Sequence, residues 1–291
     1  VKWKEVLTRL LKNKLSLFGL IIILFFVLVA VFAPYLAPPR SPEDAYEIPR
    51  AGWQVEPQPP REGYPFGTAQ GSYDIFYGMV WGTRTAFRIG VIVVGFSSLL
   101  GITIGTLSAY YGGKIDEFFM RITDVFMSIP FLVAAMVLTT ILGKGLDNVM
   151  IALVTFGWMG TARLMRSQVL EIKNEEFIQA SIALGASDPR IIFKHIIANC
   201  IFPVLIQAFM RMGSMVITAS ALSFLGVGAP EGYADWGQMI TFARDWILGG
   251  QGSALKYWYT VVIPGAAIML FSLSWNLIGD AFRDILDPKL N

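Results

Sequence analysis

Leu15–Pro39 runs for 25 residues without an Asp, Glu, Lys or Arg. In hydrocarbon every backbone polar group must be satisfied within the chain, so such a run is committed to a helix. About 20 apolar residues cross a bilayer. Further charge-free windows follow at Ile89–Gly113, Val125–Gly143, Asn148–Ala162, His195–Met210, Met212–Pro230 and Tyr257–Gly279. Asn148–Ala162 is short and reaches span length if Arg163 and Arg166 snorkel to the interface. The two windows around Arg211 merge into one span over about residues 201–226. The pattern predicts an all-α integral membrane protein with six transmembrane helices. Only 15% of the 291 residues are charged, against roughly 25% in soluble domains. The first apolar core, Leu15–Ala33, exceeds the 7–15 residues or so of a signal-peptide core. It is expected to stay as an uncleaved first helix.

Orientation follows from basic residues in the loops. Lys2, Lys4, Arg9, Lys12 and Lys14 precede the first span. With that end inside, 14 of the 23 basic residues fall inside, and both termini are cytoplasmic. The expected organisation is a cytoplasmic segment 1–14, a first helix 15–33 and an extracytoplasmic segment 34–87. A five-helix core, 88–280, carries a cytoplasmic loop at 171–199, and a cytoplasmic tail covers 281–291. Nine of the 15 prolines lie between Pro34 and Pro65, so the outer segment begins extended. "DIFYGMVWGTRTAFRIG", beginning at Asp74, reads as a short interfacial helix leading into the second span. Trp236 and Trp246 in the outer loop Val227–Lys256 fit an interfacial aromatic belt.

Several chemistries are excluded. Net charge is +2, which offers no nucleic-acid surface. One cysteine, Cys200, and one histidine, His195, leave no metal cluster, and Cys200 reads as a small buried hydrophobe. "LGKGLDN" (Leu142–Asn148) lacks the glycine spacing and the Ser/Thr of a phosphate loop. No H-E-x-x-H or G-x-S-x-G occurs. The chain is expected not to be an enzyme and to hold no cofactor or metal.

"KNEEFIQASIALGASDPRIIFKH" (Lys173–His195) interrupts the apolar pattern. Asn174 suits an N-cap, with Glu175 and Glu176 in the first turn. Gly185 suits the left-handed position that ends a helix. Ser187 or Asp188 suits a second cap, with Pro189 at the first helical position. The stretch therefore predicts two short helices, the second over Pro189–Asn199. Helices this short are marginal alone, so Phe177, Ile178 and Ile182 must bury against something. Both their own spans and a separate cytoplasmic protein fit. Arg211, some ten residues into the fifth span, is costly near mid-membrane unless paired or wet. It fits an ion pair with a partner subunit, snorkelling, or a wet path attracting a peptide carboxylate. Asp124 and Asp280 at inner span ends read as solvated or capping groups. The methionines in and near the spans read as packing.

"QASIALGASDPRIIFKHIIAN" resembles the cytoplasmic "EAA…G" coupling motif of ABC importer permeases. Gln179, Ala180 and Ser181 occupy the EAA positions and Gly185 the glycine. Ile197–Ala198 stands where the motif closes on Leu-Pro, which implies a less kinked exit. "YPFGTAQGSYDIF" (Tyr64–Phe76) resembles an outer-segment pattern of the C-type permeases of dipeptide, oligopeptide and nickel importers, departing from it at Tyr64, Ala69 and Tyr73. "AYYGGKIDEFFMRITDVFMSIPFL" (Ala109–Leu132), "GWMGTARLMRSQVL" (Gly157–Leu170), "SALSFLGVG" (Ser220–Gly228), "DWGQMI" (Asp235–Ile240) and "NLIGDAFRDILDPKL" (Asn276–Leu290) are similar to the same subgroup, in order.

The resemblance implies a type I importer permease fold in a bacterial or archaeal cytoplasmic membrane. It implies a homologous B-type permease as partner, two cytoplasmic ATPases that hold ATP and Mg, and an extracytoplasmic solute-binding protein. It assigns ATPase coupling to Phe177, Ile178, Gln179, Ala180, Ser181, Gly185, Ala186, Ser187, Asp188, Pro189 and Arg190. Arg211 departs from the family pattern, which has small or apolar residues there, and its place on the translocation path is expected from its charge and depth alone. Peptides are the substrate class it favours. The rival classes are an ion-gradient-driven secondary transporter, which would place acids or broken helices at the midplane, and a channel, which would need a filter segment.

Overall fold

The computed structural model describes residues 13–41, 44–248 and 254–286. Most of the N-terminal basic run, the end of the C-terminal tail and part of the second outer loop lie outside the described residues. Helix α1 spans Lys14–Leu36 and starts where the Asn13 side chain accepts the Leu15 N–H at 3.0 Å. Helix α2 is a single 37-residue element, Ile75–Tyr111, capped by Asp74 through the Tyr77 N–H. Helices α3 (Gly113–Met127) and α4 (Phe131–Leu142) meet at an 86° bend. Helices α5 (Leu146–Gly157) and α6 (Met159–Ile172) join at Trp158. Helix α7 covers Glu176–Ala183, and α8 runs unbroken over Asp188–Phe224. After the short α9 (Trp236–Thr241) and α10 (Arg244–Leu248), α11 closes the fold over Tyr259–Leu286.

Among the described residues four helices, α1, α2, α8 and α11, are each long and apolar enough to cross a membrane, and the bent α3–α4 pair makes a fifth candidate. This corrects two expectations. The third window, Val125–Gly143, is not one straight helix. Pro130 has no N–H to continue the ladder and pushes the preceding residue out of helical geometry, so the chain turns there. The stretch after Asp74 is not a separate interfacial helix. It is the N-terminal part of α2, and Ile75, Tyr77, Val80 and Trp81 are buried. Arg163 and Arg166 both pair with carboxylates on α3.

Small residues seat the helices. Gly101 and Gly105 form a G-x-x-x-G stripe on α2 that meets α6, the spacing that lets two backbones approach. A Cβ at Gly101 would stand 2.6 Å from the Thr161 Cβ and 2.7 Å from the Trp158 carbonyl oxygen, and one at Gly105 would overlap the Ala162 carbonyl. The two carbonyls are backbone and the Thr161 Cβ is bonded directly to it, so none of them can swing aside. Gly105→Val is therefore expected to cost at least the ~1–3 kcal/mol typical of overpacking. It should show as a lowered melting temperature in detergent, whereas Gly95→Val, in open space, should melt like the parent.

At the end of the bundle away from α7, the Pro-rich segment is a run of turns, bends and isolated bridges rather than one extended stretch, and Pro34 lies inside the last turn of α1. The segment is pinned rather than loose. The Ile48 N–H donates to Gly232 O at 2.7 Å and the Ala234 N–H to Tyr46 O at 2.8 Å. Tyr46 stacks on Tyr233, Tyr73 stacks on Phe242 at 4.7 Å, and Arg50 donates to the Tyr73 hydroxyl at 2.5 Å. Trp236 is not in an interfacial belt. It is buried against Phe26 and Phe271, and its Nε1–H donates to Met79 O at 3.2 Å. Trp246 is half-buried and packs edge-on against Tyr257.

Asp235 caps α9 by accepting the Gln238 N–H at 2.9 Å. Burial holds its carboxyl above the usual carboxylate range, against the hydrogen bonds that favour the charged form. A raised folded-state value means the folded protein holds that proton longer than the unfolded chain. Stability should then fall as pH rises from the ordinary carboxylate value through the raised one. Asp235→Asn keeps an acceptor and removes the charge. Its melting temperature should lose that downward slope above about pH 4, the ordinary Asp value.

Candidate functional site

The loop at 171–199 divides its apolar residues between two faces. Ile178, Ile191 and Ile196 are buried and join Ala109 of α2, Met165 and Val169 of α6, and Cys200 and Val204 in one cluster. Phe177, Ile182 and Leu184 are exposed, Leu184 at 88%. The first set seats the loop on its own helices, and the second faces away from them. Gln179, Ala180, Gly185, Ser187, Asp188, Pro189 and Arg190 are also exposed, while Ser181 and Ala186 are half-buried.

Gly185 ends α7 as expected, at φ +77°. Its N–H donates to Ile182 O at 2.9 Å, and the Ala186 N–H donates to Ser181 O at 3.1 Å. Together these are the paired bonds of a Schellman closure. The predicted caps differ. Asn174 does not cap α7, because its side chain turns back to Leu170 O at 3.4 Å and Glu175 holds the cap position. Neither Ser187 nor Asp188 caps through its side chain. Asp188 instead accepts the Tyr110 hydroxyl at 2.8 Å. The second loop helix does not stop at Asn199. A stretch of wider turns at Ile191–Ile196 carries it straight into α8, which matches the less kinked exit implied at Ile197–Ala198.

Beneath the loop lies a polar seat whose members the sequence reading did not single out as a site. Arg166 of α6 grips Asp116 of α3 with two bonds, Nε to Oδ1 and Nη2 to Oδ2, both 2.6 Å. The Ser108 hydroxyl donates to the same carboxylate. Lys173 Nζ donates to Ala109 O at 2.9 Å. Farther along, Arg163 pairs with Asp124, whose side chain is largely exposed, in keeping with its reading as a solvated group. The available signal was the placing of charges at the margins of apolar windows on two successive segments.

Arg211 lies on an open cleft of about 350 Å³ where the α3–α4 bend and the α5–α6 joint meet α8. Its guanidinium donates to Thr161 Oγ1 at 2.9 Å and to Gly157 O at 2.6 Å. A Cβ at residue 157 would sit 3.2 Å from Nη2, so glycine there leaves room for the contact. Among the described residues no carboxylate pairs with Arg211. Among them, too, no cluster of three His, Cys, Asp or Glu could hold a metal. Cys200 is buried among apolar side chains.

Comparison with known proteins bears on the whole chain. Residues 101–291 match the family model described as binding-protein-dependent transport system inner membrane component. Residues 2–60 match the N-terminal TM domain of oligopeptide transport permease C. The chain is 37% identical over 288 residues to the dipeptide transport system permease protein DppC of Alkalihalophilus pseudofirmus, covering 99% of this chain and 90% of that one. It is 35% identical to the oligopeptide transport system permease protein OppC of Bacillus subtilis, with the same coverage. It is 32% identical to the glutathione transport system permease protein GsiD of Pectobacterium atrosepticum, covering 99% and 91%. Among solved structures, inward facing conformations of the MetNI methionine ABC transporter align at TM-score 0.59 and 18% identity, over 73% of this chain and 98% of that one. That likeness concerns the fold.

Proposed function

The chain belongs to the family of binding-protein-dependent transport system inner membrane components, and from that membership we propose that it is the C-type permease of an ATP-driven importer of di- or oligopeptides. It is a transport subunit of the ABC class, not an enzyme, and ATP hydrolysis lies in separate ATPase subunits. None of the relatives or fold neighbours named above is an ion-gradient-driven transporter, so that alternative is dropped.

The reading is carried by end-to-end similarity to peptide permeases. In it, α3–α4 forms the third of six spans and α5–α6 the fourth, with both termini cytoplasmic. A B-type permease lines the path with this chain. Each of two ATPases, holding ATP and Mg, receives one permease's loop, and a solute-binding protein docks on the opposite end. The exposed stripe of Phe177, Ile182 and Leu184 supplies the apolar contact an ATPase groove needs. ATP binding closes the ATPases, the seated loops move with them, and the spans rock between inward- and outward-facing states.

The test is reconstitution in liposomes with a B-type permease, two ATPases and a binding protein from the same source. A labelled dipeptide should accumulate only when ATP, Mg and the binding protein are all supplied. Failure of the chain to co-purify with any ATPase would reject the importer reading. Uptake of a nickel chelate or an oligosaccharide in place of peptide would reject the substrate class.

A further inference from the structure

An arginine inside a bundle, half-buried and with no carboxylate partner among the described residues, needs a reason to be there. A charge near mid-membrane is tolerated where it is wet, paired or engaged with a passing ligand. Arg211 has five N–H donors. It gives two hydrogen bonds, to Thr161 and Gly157, leaving three N–H groups with no partner among the described residues. The two bonds fix the guanidinium at the α5–α6 joint. Its cleft is lined by Met127, Phe131, Phe156, Met159 and Met215, with Gln207 as a second polar group. Methionine and phenylalanine accept varied side chains by flexible packing, so the wall selects little. The single oriented cation selects by charge. A planar guanidinium with a free edge matches a carboxylate.

We propose that Arg211 is a carboxylate-binding station on the translocation path, taking the C-terminal carboxylate that every unmodified linear peptide carries whatever its side chains. The inference rests on the importer reading above. It adds which atom of the chain meets the cargo and which atom of the cargo is met. The cleft sits at two helix breaks, Ser128–Pro130 and Trp158, where the walls can part. A station of this kind must hold its cargo weakly enough to release it. One cation in an open cleft meets that condition.

The experiment uses the complete reconstituted transporter and one dipeptide in two forms, free acid and C-terminal amide. Both are supplied at concentrations that saturate the binding protein, set by titrating that protein alone. The parent should import the acid about ten-fold faster than the amide, the difference between a charge-assisted and a neutral hydrogen bond. In Arg211→Gln the acid rate should fall to the amide rate, and in Arg211→Lys part of the preference should return. If Arg211→Gln leaves the acid-to-amide ratio at the parental value, the station is overturned. This holds whether both rates are unchanged or both fall together, as they would for a structural brace or an ion pair with the partner permease. If the parent imports neither form, the importer reading itself fails, which is a distinct result.

Discussion

Ala180→Glu combined with Gly185→Pro is expected to abolish transport while the chain still inserts in the membrane. Gly185 sits at φ +77°, which proline, fixed near −65°, cannot adopt. The change also removes the N–H that bonds Ile182 O, and with it the closure that turns the chain from α7 to α8. The cost is about 3 kcal/mol or more locally. Ile178, Ile191 and Ile196 still bury against α2 and α6, so the spans should hold while the loop loses its shape. Ala180 lies between Phe177 and Leu184 on one face of the chain, at the three- and four-residue spacing that aligns side chains. All three are exposed. Glu is nearly as good a helix former as Ala, so this change alone should keep α7 and place a charge in the middle of the apolar face. Co-purification with the ATPases, binding-protein-stimulated ATP hydrolysis and peptide uptake measure the effect. Uptake at the parental rate would remove the loop from the coupling path.

Hydropathy located the long helices and left their breaks and surroundings unread. The window Val125–Gly143 holds Ser128 and Pro130 among apolar residues, and an average over 19 positions does not register one missing N–H. The 86° bend is a backbone event, visible only when Pro130 is asked which carbonyl it can serve. Gly185 shows the opposite case. A glycine after a helical run, with Ser-Asp-Pro behind it, carries its conformation in its residue type, and the closure was legible. Trp236 was misread because composition cannot separate an aromatic facing lipid from one facing core, and only its contacts with Phe26 and Phe271 decide. The acids that meet Arg163 and Arg166 were illegible for a related reason, since Asp116 and Asp124 are distant in sequence and adjacent in the fold. The loop itself was half legible. Its apolar residues announced a need for burial, but which of them pack inward depends on the facing helices, and no spacing rule encodes that.

Neutralising Asp116 should uncouple the transporter, and how its partner variant responds will separate transmission from stability. Arg166 holds Asp116 with two parallel bonds between side chains that are 33% and 20% exposed. Removing either partner leaves the other charge poorly solvated, at about 2 kcal/mol once partial exposure is allowed for. Asp116→Asn and Arg166→Gln should each lower the melting temperature. Arg166→Lys should also lower it, since an ammonium cannot reproduce the planar fork. The double variant leaves no orphan charge and should recover most of the stability, giving a coupling energy of about 1–2 kcal/mol in a double-mutant cycle. Transport should behave differently. The loop rests on Met165 and Val169 of α6 through Ile178, Arg166 lies on the same helix, and Asp116 begins α3. The far end of α3 is the bend that lines the Arg211 cleft. This pair is thus a stiff link between the loop and the walls of the cleft. If it transmits motion, the double variant regains its melting temperature and stays ten-fold or more below the parent in uptake, because two neutral side chains slide where an ion pair holds. If the pair serves stability alone, uptake returns together with the melting temperature, and the route from loop to cleft must run through the apolar contacts of α2 with α6 instead.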